Sequence, residues 1–140
     1  MTSNSVTYLN PEGAPPAQGL YSHAAKVPGL PLYYIAGQLS VGSKGEVVGK
    51  GDFAAQFKQV IANLGSVLSS LGLKFTDVVK FNTYLVHSQD IDTFMALRAE
   101  AFPHLFPKRV YPPNTLAIID RLVKEDFLFE VECIAYAAAD

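Results

Sequence analysis

Residues Phe127 to Tyr136 alternate in the way a strand must when its two faces see different surroundings. Phe127, Phe129, Val131, Cys133 and Ala135 make one wholly apolar face, and Leu128, Glu130, Glu132, Ile134 and Tyr136 make the other. Glu130 and Glu132 thus share one side of an otherwise apolar strand, with Cα atoms roughly 6.5–7 Å apart at about 3.3 Å of rise per residue. Such a face borders water or lines a polar cleft. Taken alone, it is more often a solvated face. Two close carboxylates nevertheless raise the proton affinity of one of them, which suits it to general acid or base work.

The strand needs partners, and the rest of the chain supplies them. Val6–Leu9, Tyr21–Val27 and Leu32–Leu39 read as strands, separated by the breakers Asn10 to Pro16 and Pro28 to Pro31. Gly37 inside the third strand marks a bulge or a close approach of backbone to ligand. Asp52 is placed to cap a helix whose apolar stripe runs through Phe53, Phe57, Val60, Ile61, Leu64, Val67, Leu68 and Leu71, with Gly72 to end it. Asp77–Val86 reads as a strand, with Val79, Phe81, Thr83 and Leu85 on one face. A second helix, capped by Ser88 or Asp90, runs to Phe102 with Ile91, Phe94, Met95, Arg98 and Phe102 on adjoining faces, and Pro103 and Pro107 break the chain beyond it. Pro112-Pro113 bars pairing just before a fifth strand, Thr115–Ile119.

The order β-β-β-α-β-α-β-β predicts an α+β fold in one domain spanning residues 1–140, residues 1–17 being an extension and first strand. Both helices lie between strands and so form crossovers on one face of a single sheet. The other face also carries apolar residues, and a second copy of the chain is the simplest cover for it. Only 17% of the 140 residues are charged, against about a quarter in an ordinary domain, which points the same way. A net charge of −2, with no basic run longer than Lys108-Arg109, predicts no nucleic-acid partner. Residues 1–5 lack a leader pattern, and no apolar run approaches the roughly 20 residues that span a bilayer. A soluble, cytoplasmic protein without membrane contact is expected.

Other chemistry is sparse. His23, His87 and His104 are not at metal-ligand spacing and read as surface or turn residues. No phosphate loop or nucleophile elbow occurs, so no cofactor and no metal are expected. The lone cysteine, Cys133, reads as packing. Arg109 and Arg121 are each able to clamp a carboxylate, although a single arginine is usually a surface residue.

Several strings, taken in order, resemble the RidA/YjgF family of small imine and enamine deaminases. They are Tyr21-Ser22-His23-Ala24, Ile35-Ala36-Gly37-Gln38-Leu39, Gln56 with Asn63-Leu64, Gly72-Leu73 followed by Asp77-Val78-Val79-Lys80, and Glu130-Val131-Glu132-Cys133-Ile134-Ala135. The resemblance covers about residues 18–138. It implies a chorismate-mutase-like fold, a mixed sheet of about six strands with two helices on one face, assembled as a homotrimer with ligand clefts between subunits. It also implies hydrolysis of a 2-imino or 2-enamino acid to a keto acid and ammonia. Tyr21 and Gly37 match site residues of the family, Ala36 stands where a serine is usual, and Glu130 matches the glutamate that orients or activates water.

The departure is on the fifth strand. Aligning on Arg121-Leu122 places Asn114 where family deaminases carry a carboxylate-gripping arginine, and Leu116 where they carry a cysteine. Ala96 stands at the position of a site asparagine. Arg109 is the candidate substitute, reaching in from the loop. Losing a charge-assisted bidentate contact weakens binding on the order of a hundredfold. The resemblance therefore implies a hydrolase of an imine, enamine or related carbonyl compound, with a non-catalytic ligand-binding trimer as the alternative. The endoribonuclease or translation-inhibitor label carried by some members ranks below both, because nothing here resembles a basic groove or a histidine-based cleavage site.

Overall fold

The computed structural model describes residues 5–17 and 19–137. The reading of residues 1–4 as part of a terminal extension lies outside that range. Six strands, β1 (Thr7–Leu9), β2 (Ala24–Lys26), β3 (Leu32–Gln38), β4 (Val78–Leu85), β5 (Asn114–Ile118) and β6 (Phe129–Tyr136), form one mixed sheet ordered β1-β2-β3-β6-β4-β5. The two-acid strand, β6, lies inside the sheet, antiparallel to both β3 and β4, while β5 runs parallel to β4. Helix α1 (Phe53–Ser70) connects β3 to β4 and α2 (Ile91–Leu105) connects β4 to β5.

Both helices cover the same face. Phe53, Phe57, Val60, Leu64, Val67 and Leu68 of α1 and Phe94 of α2 pack on Ile35, Phe81, Leu85, Phe129, Val131, Cys133 and Ala135. Phe129 sits at the centre, fully buried, with the rings of Phe53, Phe57 and Phe94 at 5.5, 5.5 and 5.6 Å. The helix ends follow their local chemistry. The Asp52 side chain accepts from Ala55 N at 3.0 Å, and Gly72 takes φ +76°, a conformation open to glycine without strain.

Several boundaries differ from the expected ones, for non-local reasons. The second strand is only Ala24–Lys26, because His23 is drawn out of the ladder: its N–H donates to Asn10 Oδ1 and its ring to the Pro15 carbonyl. The register slips between Val78 and Lys80, so Val78 is buried and Val79, expected inside, is 44% exposed. Pro103 lies within α2 rather than after it. It falls in the last turn, which still closes through Phe106 N to Phe102 O at 2.8 Å. Pairing with β4 begins at Pro113, since its carbonyl accepts from Phe81 N and no N–H is needed.

Among the described residues, no helix covers the other face of the sheet. Tyr8, Tyr34 and Tyr136 are 69%, 48% and 46% exposed on it, beside Ala25 and Ile134. Three large rings left in water on one sheet face are the pattern of a surface that another protein surface covers.

Candidate functional site

The site is built around the β3 glycine. Ile35 opposes Cys133 and Gln38 opposes Val131, so β3 holds one more residue than β6 over this interval. That bulge spans Ala36 and Gly37 and pushes the Gly37 backbone against the Glu130 side chain. A Cβ at residue 37 would overlap the Glu130 carboxylate, so any side chain there would displace that of Glu130. Tyr21, Ala36, Gly37, Leu39, Val123 and Glu130 line the resulting cleft of ≈ 260 Å³.

Two polar residues of α1 hold the segments that flank this cleft. Asn63 Nδ2 donates to the carbonyls of Leu39 and Val41, both at 2.9 Å. Gln56 donates to the carbonyls of Gly49 and Asp126 and accepts from Leu128 N at 2.8 Å. Each is buried and satisfied, so the chain entering β6 and the chain leaving β3 are both tied to the rigid helix.

The two carboxylates of β6 have different surroundings. Glu132 Oε1 accepts from Tyr84 Oη at 2.7 Å and Asn82 Nδ2 at 3.2 Å, which holds it in the sheet. The Tyr84 hydroxyl is pushed up to about 12, first by that hydrogen bond, then by burial and the nearby negative charges. Glu130 accepts no hydrogen bond from any described residue. Burial, and then the charge of Glu132, raise its carboxyl above the usual range. One acid is thus a structural acceptor and the other is open to the cleft with increased proton affinity. A pair separated in this way supplies one group able to take and return a proton.

The remaining candidates divide among other places. Asn114 and Leu116 point to the helix-covered side, away from Glu130, and line a ≈ 680 Å³ cavity between α2 and β5. Arg109 is exposed in the turn after α2 at φ 57° and lines neither cavity. Ala96 is exposed and also lines neither. Arg98, which stands in the apolar stripe of α2, lines the cavity that holds Asn114. Its signal in the sequence was a cation within a row of apolar residues, and its neighbour across the strand was not legible there. His23, expected at the surface or in a turn, lies in a bend just before β2 but is buried: Nε2 donates to Pro15 O at 2.7 Å and Nδ1 accepts from Gln38 at 3.0 Å. Cys133 is buried, and burial pushes its thiol up to about 12, well away from a reactive thiolate.

This chain belongs to the RidA/YjgF family, as matches of its sequence and fold to known members show. The family model, described as endoribonuclease L-PSP, matches residues 11–137. A RutC family protein of Pyrococcus horikoshii is 37% identical over 126 residues, covering 89% of this chain and 93% of that protein. The 3-aminoacrylate deaminase RutC of Acinetobacter baylyi is 31% identical over 126 residues, covering 90% and 94%. The crystal structure of RidA from an Antarctic Psychrobacter matches with a TM-score of 0.78 and 31% identity, over 94% of this chain and 99% of that one. No helix among the described residues is long and apolar enough to cross a membrane.

Proposed function

We propose that this protein hydrolyses a small imine, or the imine tautomer of an enamine, at the Glu130 cleft, and that the working site forms between chains of a homotrimer. The observation that carries the reading is the half-buried Glu130 carboxyl, without a hydrogen-bond partner among the described residues, beside the bared backbone of Gly37. Glu130 would take a proton from water as the oxygen adds to the C=N carbon, giving a carbinolamine. With the C=N group entering protonated, returning that proton to nitrogen breaks the C–N bond while the carbinolamine hydroxyl gives its own proton to the departing ammonia, so iminium and water become a carbonyl compound and ammonium. The Tyr21 ring, edge-on to His23 at 5.9 Å, would wall the cleft and orient the ligand. The raised proton affinity of Glu130 suits it to both halves of this cycle.

The trimer is supported by two features. The helix-free face exposes three tyrosines, and the Glu130 cleft and the Asn114 cavity open on different sides of the sheet. A rotation that applies the helix-free face to a neighbour would let one chain's cleft meet the next chain's cavity. The names of relatives agree with the chemistry, one being a 3-aminoacrylate deaminase. Phosphodiester cleavage has less support: among the described residues no lysine, arginine or histidine lines the Glu130 cleft, and the nearby His23 has both ring nitrogens hydrogen-bonded.

The test is turnover of 2-iminopropanoate generated in situ. The protein should speed release of the keto acid and ammonia in equal amounts. A rate equal to that in buffer would refute the reading for this class of substrate.

A further inference from the structure

We propose that Arg98 of α2, in concert with Asn114, binds the carboxylate of a small organic acid with an apolar or aromatic body, so that the grip is supplied by a helix rather than by the start of β5 or by Arg109. The proposal deepens the hydrolase reading and rests on it for what happens to the ligand afterwards. Arg98 and Asn114 line the same ≈ 680 Å³ cavity, a size ordinary for small-molecule sites. Its other walls are apolar or aromatic, among them Met95, Phe102, Tyr111 and Leu116, and no acidic side chain among the described residues lines it.

Both polar groups present donors. The guanidinium of Arg98 lies over the buried Phe94 ring at 4.9 Å, and Nη2 donates to Met95 Sδ at 3.0 Å. These contacts hold the head in place and leave its other N–H groups without a partner among the described residues. No carboxylate of a described residue forms an ion pair with it. Asn114 Oδ1 is occupied, accepting from the buried Thr83 hydroxyl at 2.7 Å. The amide is thereby turned so that Nδ2, which has no partner among the described residues, is its remaining polar group. A cation and an amide donor in one apolar cavity without an acid among its described lining residues suit a carboxylate better than a neutral amide, which lacks the charge and presents an NH2 to donors.

Calorimetric titration of benzoate and benzamide into the intact protein tests this. Benzoate should bind at least about tenfold more tightly than benzamide, and Arg98→Gln should weaken benzoate about 10- to 100-fold while leaving benzamide unchanged. Arg98→Lys, which keeps the charge but loses the fork, should recover part of the loss. With 2-iminopropanoate, Arg98→Gln should raise KM far more than it lowers kcat. The inference is overturned if wild type binds no benzoate, if the two probes bind alike, or if Arg98→Gln binds benzoate as wild type does. Benzoate binding that depends on Arg98, without turnover of the imine, would remove the hydrolase reading and leave the carboxylate site standing. Turnover with an unchanged KM in Arg98→Gln would do the reverse.

Discussion

Glu130→Gln should lower kcat for imine hydrolysis by about 10²- to 10⁴-fold, the range for loss of a positioned general acid–base group. The glutamine keeps the shape beside Gly37 and loses only the titrating oxygen. In wild type, kcat/KM should climb with pH along a limb that lies above the ordinary carboxyl range, because the catalytic form is the deprotonated one and burial holds the proton on. Glu132→Gln removes the second cause of that rise, so the limb should move to lower pH while activity persists. The same linkage fixes the sign for stability. The folded pKa of Glu130 lies above the unfolded one, so between the two the native state binds more protons and stability falls as pH rises. Glu130→Gln should therefore be no less stable than wild type at neutral pH, and the loss of rate is not a folding defect. A pH–rate profile beside a denaturation curve reads both effects. Full activity in Glu130→Gln would remove this residue from the chemistry.

Phe129→Ala should destabilise the fold by about 3–5 kcal/mol, the usual cost of emptying a large aromatic site in a core. Phe129 is fully buried, and its ring touches Phe53 and Phe57 from α1 and Phe94 from α2. It joins both helices to the central strand, and neither helix can close the hole without leaving the other. Domains of this size are stable by only about 5–15 kcal/mol, so a large share of the total is at stake. In urea at fixed protein concentration, the midpoint should fall while the slope stays the same. Because residues 129 and 130 point to opposite faces, the pair separates two functions of one strand. The odd positions hold the core and the even positions face the helix-free side, where Glu130 lines the cleft.

That separation was legible in the sequence, because strand alternation is a local property. The cap at Asp52, the helix end at Gly72 and the bulge at Gly37 were legible for the same reason: each follows from one residue's backbone or side-chain preference. What failed was decided by distant contacts. His23 leaves its strand because Asn10 and Pro15 offer partners, and β4 slips by one residue because β6 sets the register. The site shows the same limit. Tyr21, Ala36, Gly37 and Glu130 were legible as a group through the family resemblance, and they share a cleft. The resemblance also named Asn114 and Leu116, but the face of β5 that they occupy depends on its pairing with β4. Arg98 stood in the α2 pattern as one charge among apolar residues, and only the packing of α2 beside β5 shows what it faces.

If one chain's Glu130 cleft works with a neighbour's α2–β5 cavity, mixed oligomers will show it most directly. Glu130→Gln disables the first half, and Leu116→Trp fills the second. Each variant alone should be nearly inactive. Co-expressed in equal amounts, the two should assemble into trimers in which each half is intact in one chain of two. Sites that draw on two chains would then recover about a quarter of wild-type activity. Mixed oligomers no more active than the separate variants would contradict the account.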